Sequence, residues 1–136
     1  MKDIVVLKFG GTSVSTRARW DAIAGIAGSR VSSGLFPVIV CSAVSTISDT
    51  LESLLRDAIA GHHGSTLAAI RERHLKLANE LEVNPSLIQG HLDELERITL
   101  GASLLHEISP RTHARVLAMG ELMSTTLGSA FLAEHD

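Results

Sequence analysis

Two short apolar runs separated by one amphipathic segment constrain this chain more than anything else in it. Ile4-Val5-Val6-Leu7 is a continuous apolar run, and Pro37-Val38-Ile39-Val40-Cys41 repeats the pattern. Unbroken runs of this kind read as strands covered on both faces, since a half-exposed strand alternates. Between them, Trp20, Ile23, Ala24, Ala27 and Val31 recur at helical spacing, with Gly34 as a stop signal. Strand, helix, strand is a βαβ unit, which predicts a parallel sheet with a right-handed crossover.

Beyond Cys41 the pattern turns helical. Leu51, Leu54, Leu55, Ala58 and Ile59 form one stripe, interrupted at Gly61-His62-His63-Gly64. Leu67, Ile70, His74, Leu77 and Leu81 form a second, closed by Asn84-Pro85. Ile88, Leu92, Leu95, Ile98, Ala102 and Leu105 form a third. Ser109-Pro110 reads as an N-cap with proline at the first helical position, opening a last helix lined by Val116, Met119, Met123, Leu127 and Ala130. This layout is lopsided, because a two-stranded parallel sheet rarely stands alone. Either the helices form a bundle of their own or further strands belong to the domain, and the motifs below favour the second.

The 136 residues are 45% hydrophobic with mean hydropathy +0.24, enough for a core and against disorder. Twelve Lys and Arg against fifteen Asp and Glu give a net charge of −3, which leaves no basic footprint for nucleic acid. Cys41 is the single cysteine, so neither an internal disulfide framework nor a thiolate zinc site is expected, and no metal ligands are assigned. His62 and His63 read as part of a helix break, and His74 as a satisfied, partly buried histidine. Glu72/Lys76 and Asp93/Arg97 read as i,i+4 pairs on solvated faces. No apolar stretch reads as a bilayer span, and Ile4 to Leu7 is too short for a signal peptide core, so no membrane partner and a cytoplasmic location are expected.

Three constellations carry chemistry. Lys8-Phe9-Gly10-Gly11-Thr12-Ser13 stands where a strand ends and a helix is about to begin, the end of an open α/β sheet where ligands bind. Paired glycines let backbone N–H groups approach an anion, and Lys8 adds a full charge. A tight turn with a snorkelling lysine fits the same residues equally well. The string is neither the P-loop nor the dinucleotide fingerprint. The second, Ser42-Ala43-Val44-Ser45-Thr46-Ile47-Ser48-Asp49, follows the second strand and reads by itself as a hydroxyl-rich connection capping the next helix. In the third, Gly120-Glu121-Leu122-Met123-Ser124, Glu121 lies off the apolar stripe beside small residues; a solvated glutamate is the plain alternative.

Lys8-Phe9-Gly10-Gly11-Thr12-Ser13-Val14 resembles the opening signature of the aspartate kinases, members of the amino-acid kinase superfamily. The serine segment resembles a second motif of that family, with Thr46 where glycine is usual and Ser48 where threonine is usual. Gly120-Glu121-Leu122-Met123-Ser124 resembles a third, whose glutamate meets the substrate's amino group. The resemblance implies an α/β fold of three α/β/α layers, the carbamate kinase-like architecture, here its N-terminal portion with few parallel strands and many helices. It implies ATP-dependent phosphorylation of the side-chain carboxylate of L-aspartate, the first step towards lysine, threonine and methionine, with Mg2+ bound through the nucleotide phosphates.

Carried over, Lys8 is catalytic and meets the transferring phosphoryl group. Gly10, Gly11 and Ser42 bind the nucleotide phosphates, and Thr12, Ser13, Ser48 and Glu121 hold aspartate. Residues 1–136 correspond to the N-terminal half of the catalytic domain, so the chain alone is expected to be inactive and, with apolar faces uncovered, to self-associate as a homo-oligomer. The competing expectation is a non-catalytic, helix-rich interaction module that keeps the kinase opening as scaffold, for which Thr46 and Ser48 are the support.

Overall fold

The βαβ unit forms as the two apolar runs predict. In the computed structural model, which describes residues 2–135, strand β1 spans Ile4–Phe9, helix α1 Arg17–Ser32 and strand β2 Phe36–Cys41. Met1 and Asp136, the outermost residues of the expected half-domain, lie outside the described residues. The strands pair in parallel, with Ile4 opposite Phe36 and Phe9 opposite Cys41. A short 3-10 turn, Gly11–Val14, leads into α1, whose N-cap Thr16 accepts from the Arg19 N–H. At its other end Gly34 adopts φ +81°, and its N–H and that of Leu35 close onto the Val31 and Arg30 carbonyls. That double closure is the left-handed glycine stop the sequence predicts.

Burial of the strands departs from expectation. Pro37, Ile39 and Cys41 lie on the covered face with Val5, Leu7 and Phe9, whereas Ile4 (69% exposed), Val6, Phe36 (57%), Val38 and Val40 form an open face. The reason is geometric. Helix α1 and the last helix, α5 (Pro110–Ala133), both meet β2 on the side of Ile39 and Cys41. Among the described residues nothing lies over the other side, so an apolar sequence on both faces is matched by cover on one.

The remaining helices, α2 (Ile47–Ala60), α3 (Gly64–Glu80) and α4 (Gln89–Leu105), pack with α5 into a helical body of their own. Helix α2 is its axis, touching α3, α4 and α5 and burying Leu51, Leu54 and Ala58 completely. Gly61, at φ +84°, ends α2 where the sequence marks the break. Ser109 caps α5 by accepting the Thr112 N–H at 3.1 Å, with Pro110 in the first turn. The two bodies share one core through α5: Val116, Met119 and Met123 face the helices, and Phe131 meets Trp20 edge-on at 6.4 Å. Trp20 is anchored by its indole N–H on the Val14 carbonyl at 3.0 Å and lies across Gly128, where a Cβ would fall 1.8 Å from the ring. Gly128→Ala is therefore expected to destabilise the fold by about 3 kcal/mol, measured by urea unfolding.

Several local expectations are corrected. Leu105, assigned to the third stripe, is 71% exposed, because the stripe drifts so that Thr99 and Ala102 take the buried positions. Glu72/Lys76 and Asp93/Arg97 do not pair; Lys76 meets Glu80, Arg71 meets Glu96, and Asp93 accepts from Gln89 instead. Helix α5 is long and apolar enough to cross a membrane by length and composition, contrary to the sequence expectation, and 44% of that apolar stretch is buried in the protein, Met119, Met123 and Leu127 completely or nearly so.

His74 is not partly buried but wholly so, and it is only half satisfied. Its Nδ1 lies 2.8 Å from the Ile70 carbonyl, so the proton resides there, and its Nε2 has no partner. Burial pushes its pKa below the ordinary 6.5, more than the Ile70 hydrogen bond restores. The folded state thus disfavours the proton that the unfolded chain accepts. Stability is full above the ordinary value of 6.5 and falls as pH drops below it. His74→Met is expected to flatten that acid slope, measured as urea-unfolding free energy across pH 5 to about 8.

Candidate active site

The first two motifs meet because the parallel ladder carries on past the strands. The Ser42 N–H donates to the Phe9 carbonyl at 3.0 Å, which sets the loop after β2 beside the turn after β1. Gly10 is extended, and the Ser13 N–H closes back on its carbonyl at 3.0 Å. Gly11 then touches the neighbouring loop: a Cβ there would fall 2.9 Å from the Ala43 carbonyl oxygen and 3.2 Å from Ser45. The second glycine of the pair is thus required by packing. Gly10 has open space around it and an ordinary φ.

Between turn and loop lies a cleft of about 250 Å3 lined by Gly11, Thr12, Ser42, Ser45, Ser48 and Asp49, among others. Four residues assigned from sequence, Gly11, Thr12, Ser42 and Ser48, therefore converge on one concavity. Lys8, Gly10, Ser13 and Glu121 stand outside its lining. Lys8 is exposed on the open face of β1, and Ser13 is half-buried. Glu121 is exposed on α5, one residue beyond Gly120, whose missing side chain lets the helix press on Ala43 (2.9 Å to its Cβ). One turn further on, the Ser124 hydroxyl donates to the Ser42 carbonyl at 2.8 Å. The third motif is thus bolted to the second at its backbone. Neither Lys8 nor Glu121 forms an ion pair among the described residues.

Thr46 begins α2 with φ 70° and ψ −10°, a left-handed conformation costly for a β-branched residue. Its side chain makes no capping hydrogen bond, so the segment is not the helix cap its composition suggests. The loop keeps a glycine's backbone shape without a glycine. Cys41, at the tip of β2, has its thiol pKa raised by burial, which keeps it protonated and inert as a nucleophile. No cluster of three or more His, Cys, Asp or Glu groups suited to a metal occurs among the described residues.

Sequence reasoning missed the residues that hold the cleft together. Asp49 lines it without having been assigned, and Ser124 was legible only as a small neighbour of Glu121. Ser15 and Arg73 gave no signal at all. The largest concavity lies elsewhere, about 820 Å3 between α3 and α4 near Leu67, Leu75 and Leu100. Of its charged lining residues, Arg71, Lys76, Glu80 and Glu96 are engaged in ion pairs.

A family model described as the amino acid kinase family matches residues 3–136, and the chain belongs to that family. Within it, the chain is similar to aspartokinases. It is 34% identical over 132 residues to chloroplastic aspartokinase 2 of Arabidopsis thaliana, covering 93% of this chain and 24% of that protein. It is 33% identical over 141 residues to the lysine-sensitive aspartokinase 3 of Escherichia coli strain K12, covering 100% of this chain and 30% of that one. The crystal structure of E. coli aspartokinase III in complex with aspartate and ADP superposes with a TM-score of 0.77 at 30% identity, over 98% of this chain and 29% of the other. The chain thus spans about a quarter to a third of these relatives, and its α/β fold is the one the motifs imply.

Because Thr46 occupies a glycine conformation, Thr46→Gly is expected to stabilise the chain by about 1 kcal/mol. An unchanged or lower urea midpoint would show that the loop is not strained.

Proposed function

We propose that this chain carries the phosphate-turn and aspartate-contacting part of an aspartate kinase. The observation that carries the proposal is the cleft itself, in which hydroxyls of two sequence motifs face one another across a Gly11 that has no room for a side chain. The structural relative binds aspartate and ADP, and a second structure of that enzyme holds lysine and aspartate, which supports aspartate and an adenine nucleotide as ligands here.

In the proposed reaction an oxygen of the aspartate side-chain carboxylate attacks the γ-phosphorus of ATP. The new O–P bond forms as the bond to the bridging oxygen breaks, leaving ADP and an acyl phosphate. Such transfer depends on positioning and charge neutralisation more than on covalent catalysis by the protein. Lys8 supplies the positive charge to the moving phosphoryl group. Gly10 and Gly11 let the nucleotide phosphates approach the backbone, with Ser42 beside them. Thr12, Ser13 and Ser48 offer hydroxyls to aspartate, and Glu121 accepts its ammonium group. Mg2+, when bound, neutralises phosphate charge. Asp49 is the single carboxylate lining the cleft, which suits a hard cation held chiefly by phosphate oxygens and water.

The remainder of the catalytic domain, a cytoplasmic location and assembly into a homo-oligomer belong to the same proposal. The open apolar face at Ile4, Val6 and Phe36 supports the first and the last. The chain by itself is proposed to lack kinase activity.

The test is ATP-dependent aspartyl phosphate formation, trapped as the hydroxamate, by the natural protein containing this chain. Lys8→Ala is expected to lower kcat by about a hundredfold or more, and Glu121→Gln to raise KM for aspartate about tenfold. A protein that never phosphorylates aspartate would instead support the non-catalytic interaction module.

A further inference from the structure

Ser15 lies one residue beyond the glycine motif and has no assigned role. It is 8% exposed, and both its hydroxyl and its carbonyl are hydrogen-bonded. Its hydroxyl donates to the Gly11 carbonyl at 2.6 Å and accepts the Ser45 N–H at 3.1 Å. Its own carbonyl accepts from Arg73 of α3 at 3.0 Å. One hydroxyl therefore ties the turn after β1 to the loop after β2, and one guanidinium ties both to the helical body.

We propose that Ser15 is a positioning residue that sets the width of the candidate cleft, with Arg73 holding Ser15 in place. The proposal rests on the kinase reading for what the cleft binds, but its geometry stands without it. The two residues joined by the hydroxyl, Gly11 and Ser45, both line the cleft, one from each motif. Ser45 also precedes Thr46, whose left-handed backbone persists only if its surroundings over-determine it. Three restraints do so. Ser15 fixes Ser45, Ser124 fixes Ser42, and the Ile47 N–H closes on Val44 at 3.0 Å. Of these three, only the Ser15 restraint joins the glycine turn to the loop after β2. The pair is buried enough to be worth more than a surface hydrogen bond, since removing the hydroxyl leaves a Ser45 N–H and a Gly11 carbonyl short of a partner.

Two variants test this, Ser15→Ala and Arg73→Met, each in the 136-residue chain and read by amide hydrogen exchange and by titration of the labelled chain with L-aspartate. Ser15→Ala is expected to speed exchange at Ser45 and Thr46 about tenfold while amides of α4 are unchanged. It is also expected to weaken aspartate about tenfold. Arg73→Met should do the same to a smaller extent. Exchange at Ser45 that is unaltered, or accelerated equally throughout the chain, overturns the positioning role. If the unsubstituted chain shows no response to aspartate, the substrate assignment fails, and the exchange result still decides the proposal on Ser15.

Discussion

The structure depends on one loop being squeezed from two sides by residues that lack side chains. Ala43 and its neighbours lie between Gly11 of the first turn and Gly120 of α5, each so close that a Cβ would come within 2.9 Å. Gly11 meets the backbone of the loop and Gly120 meets the Ala43 Cβ, so three separate stretches of sequence come to one place through short groups. The Ser124 hydroxyl on Ser42 then fixes the contact in register. A cleft results whose walls are chiefly backbone and short hydroxyls, with Asp49 the one carboxylate among them.

That arrangement also explains the division of labour in the chain. The helical body around α2 has a core of its own, with Leu51, Leu54, Leu92 and Leu95 completely buried. The βαβ unit, in contrast, is covered on one face only, and α5 with Trp20 and Phe131 attaches it to the helices. The site lies at the seam, and Arg73 on the Ser15 carbonyl is a polar tie across that seam. Movement of the helical body relative to the strands would therefore reach the cleft first.

Much of this was legible in the sequence, and the failures have physical reasons. The strand runs and the glycine stops at Gly34 and Gly61 announce themselves because period and left-handed backbone leave few alternatives. The convergence of Gly11, Thr12, Ser42 and Ser48 was implied by the family resemblance, since the residues by themselves read as a turn and a hydroxyl-rich connection. The one-sided burial of β1 and β2 could not be read, since residues such as Val6 and Val38 are apolar whether or not anything covers them. At Thr46 the sequence shows only a departure from the glycine usual in that motif, whereas the folded loop imposes a glycine's shape upon it. Ser15, Arg73 and the bond from Ser124 were invisible, because a hydroxyl or a guanidinium acquires its role from a partner tens of residues away.

Lys8 and Glu121, the charges on which the proposed chemistry relies, stand outside the lining of the cleft. The proposed function therefore requires small anionic ligands to bind at the strand tips and not in the larger groove between α3 and α4. Adding L-aspartate with MgADP to the isotopically labelled chain and mapping the amide shifts tests this most directly. The account predicts changes confined to Gly10 through Ser13, Ser42 through Asp49 and the α5 turn at Glu121. Changes centred instead on Leu67, Arg71 and Leu100 would contradict it.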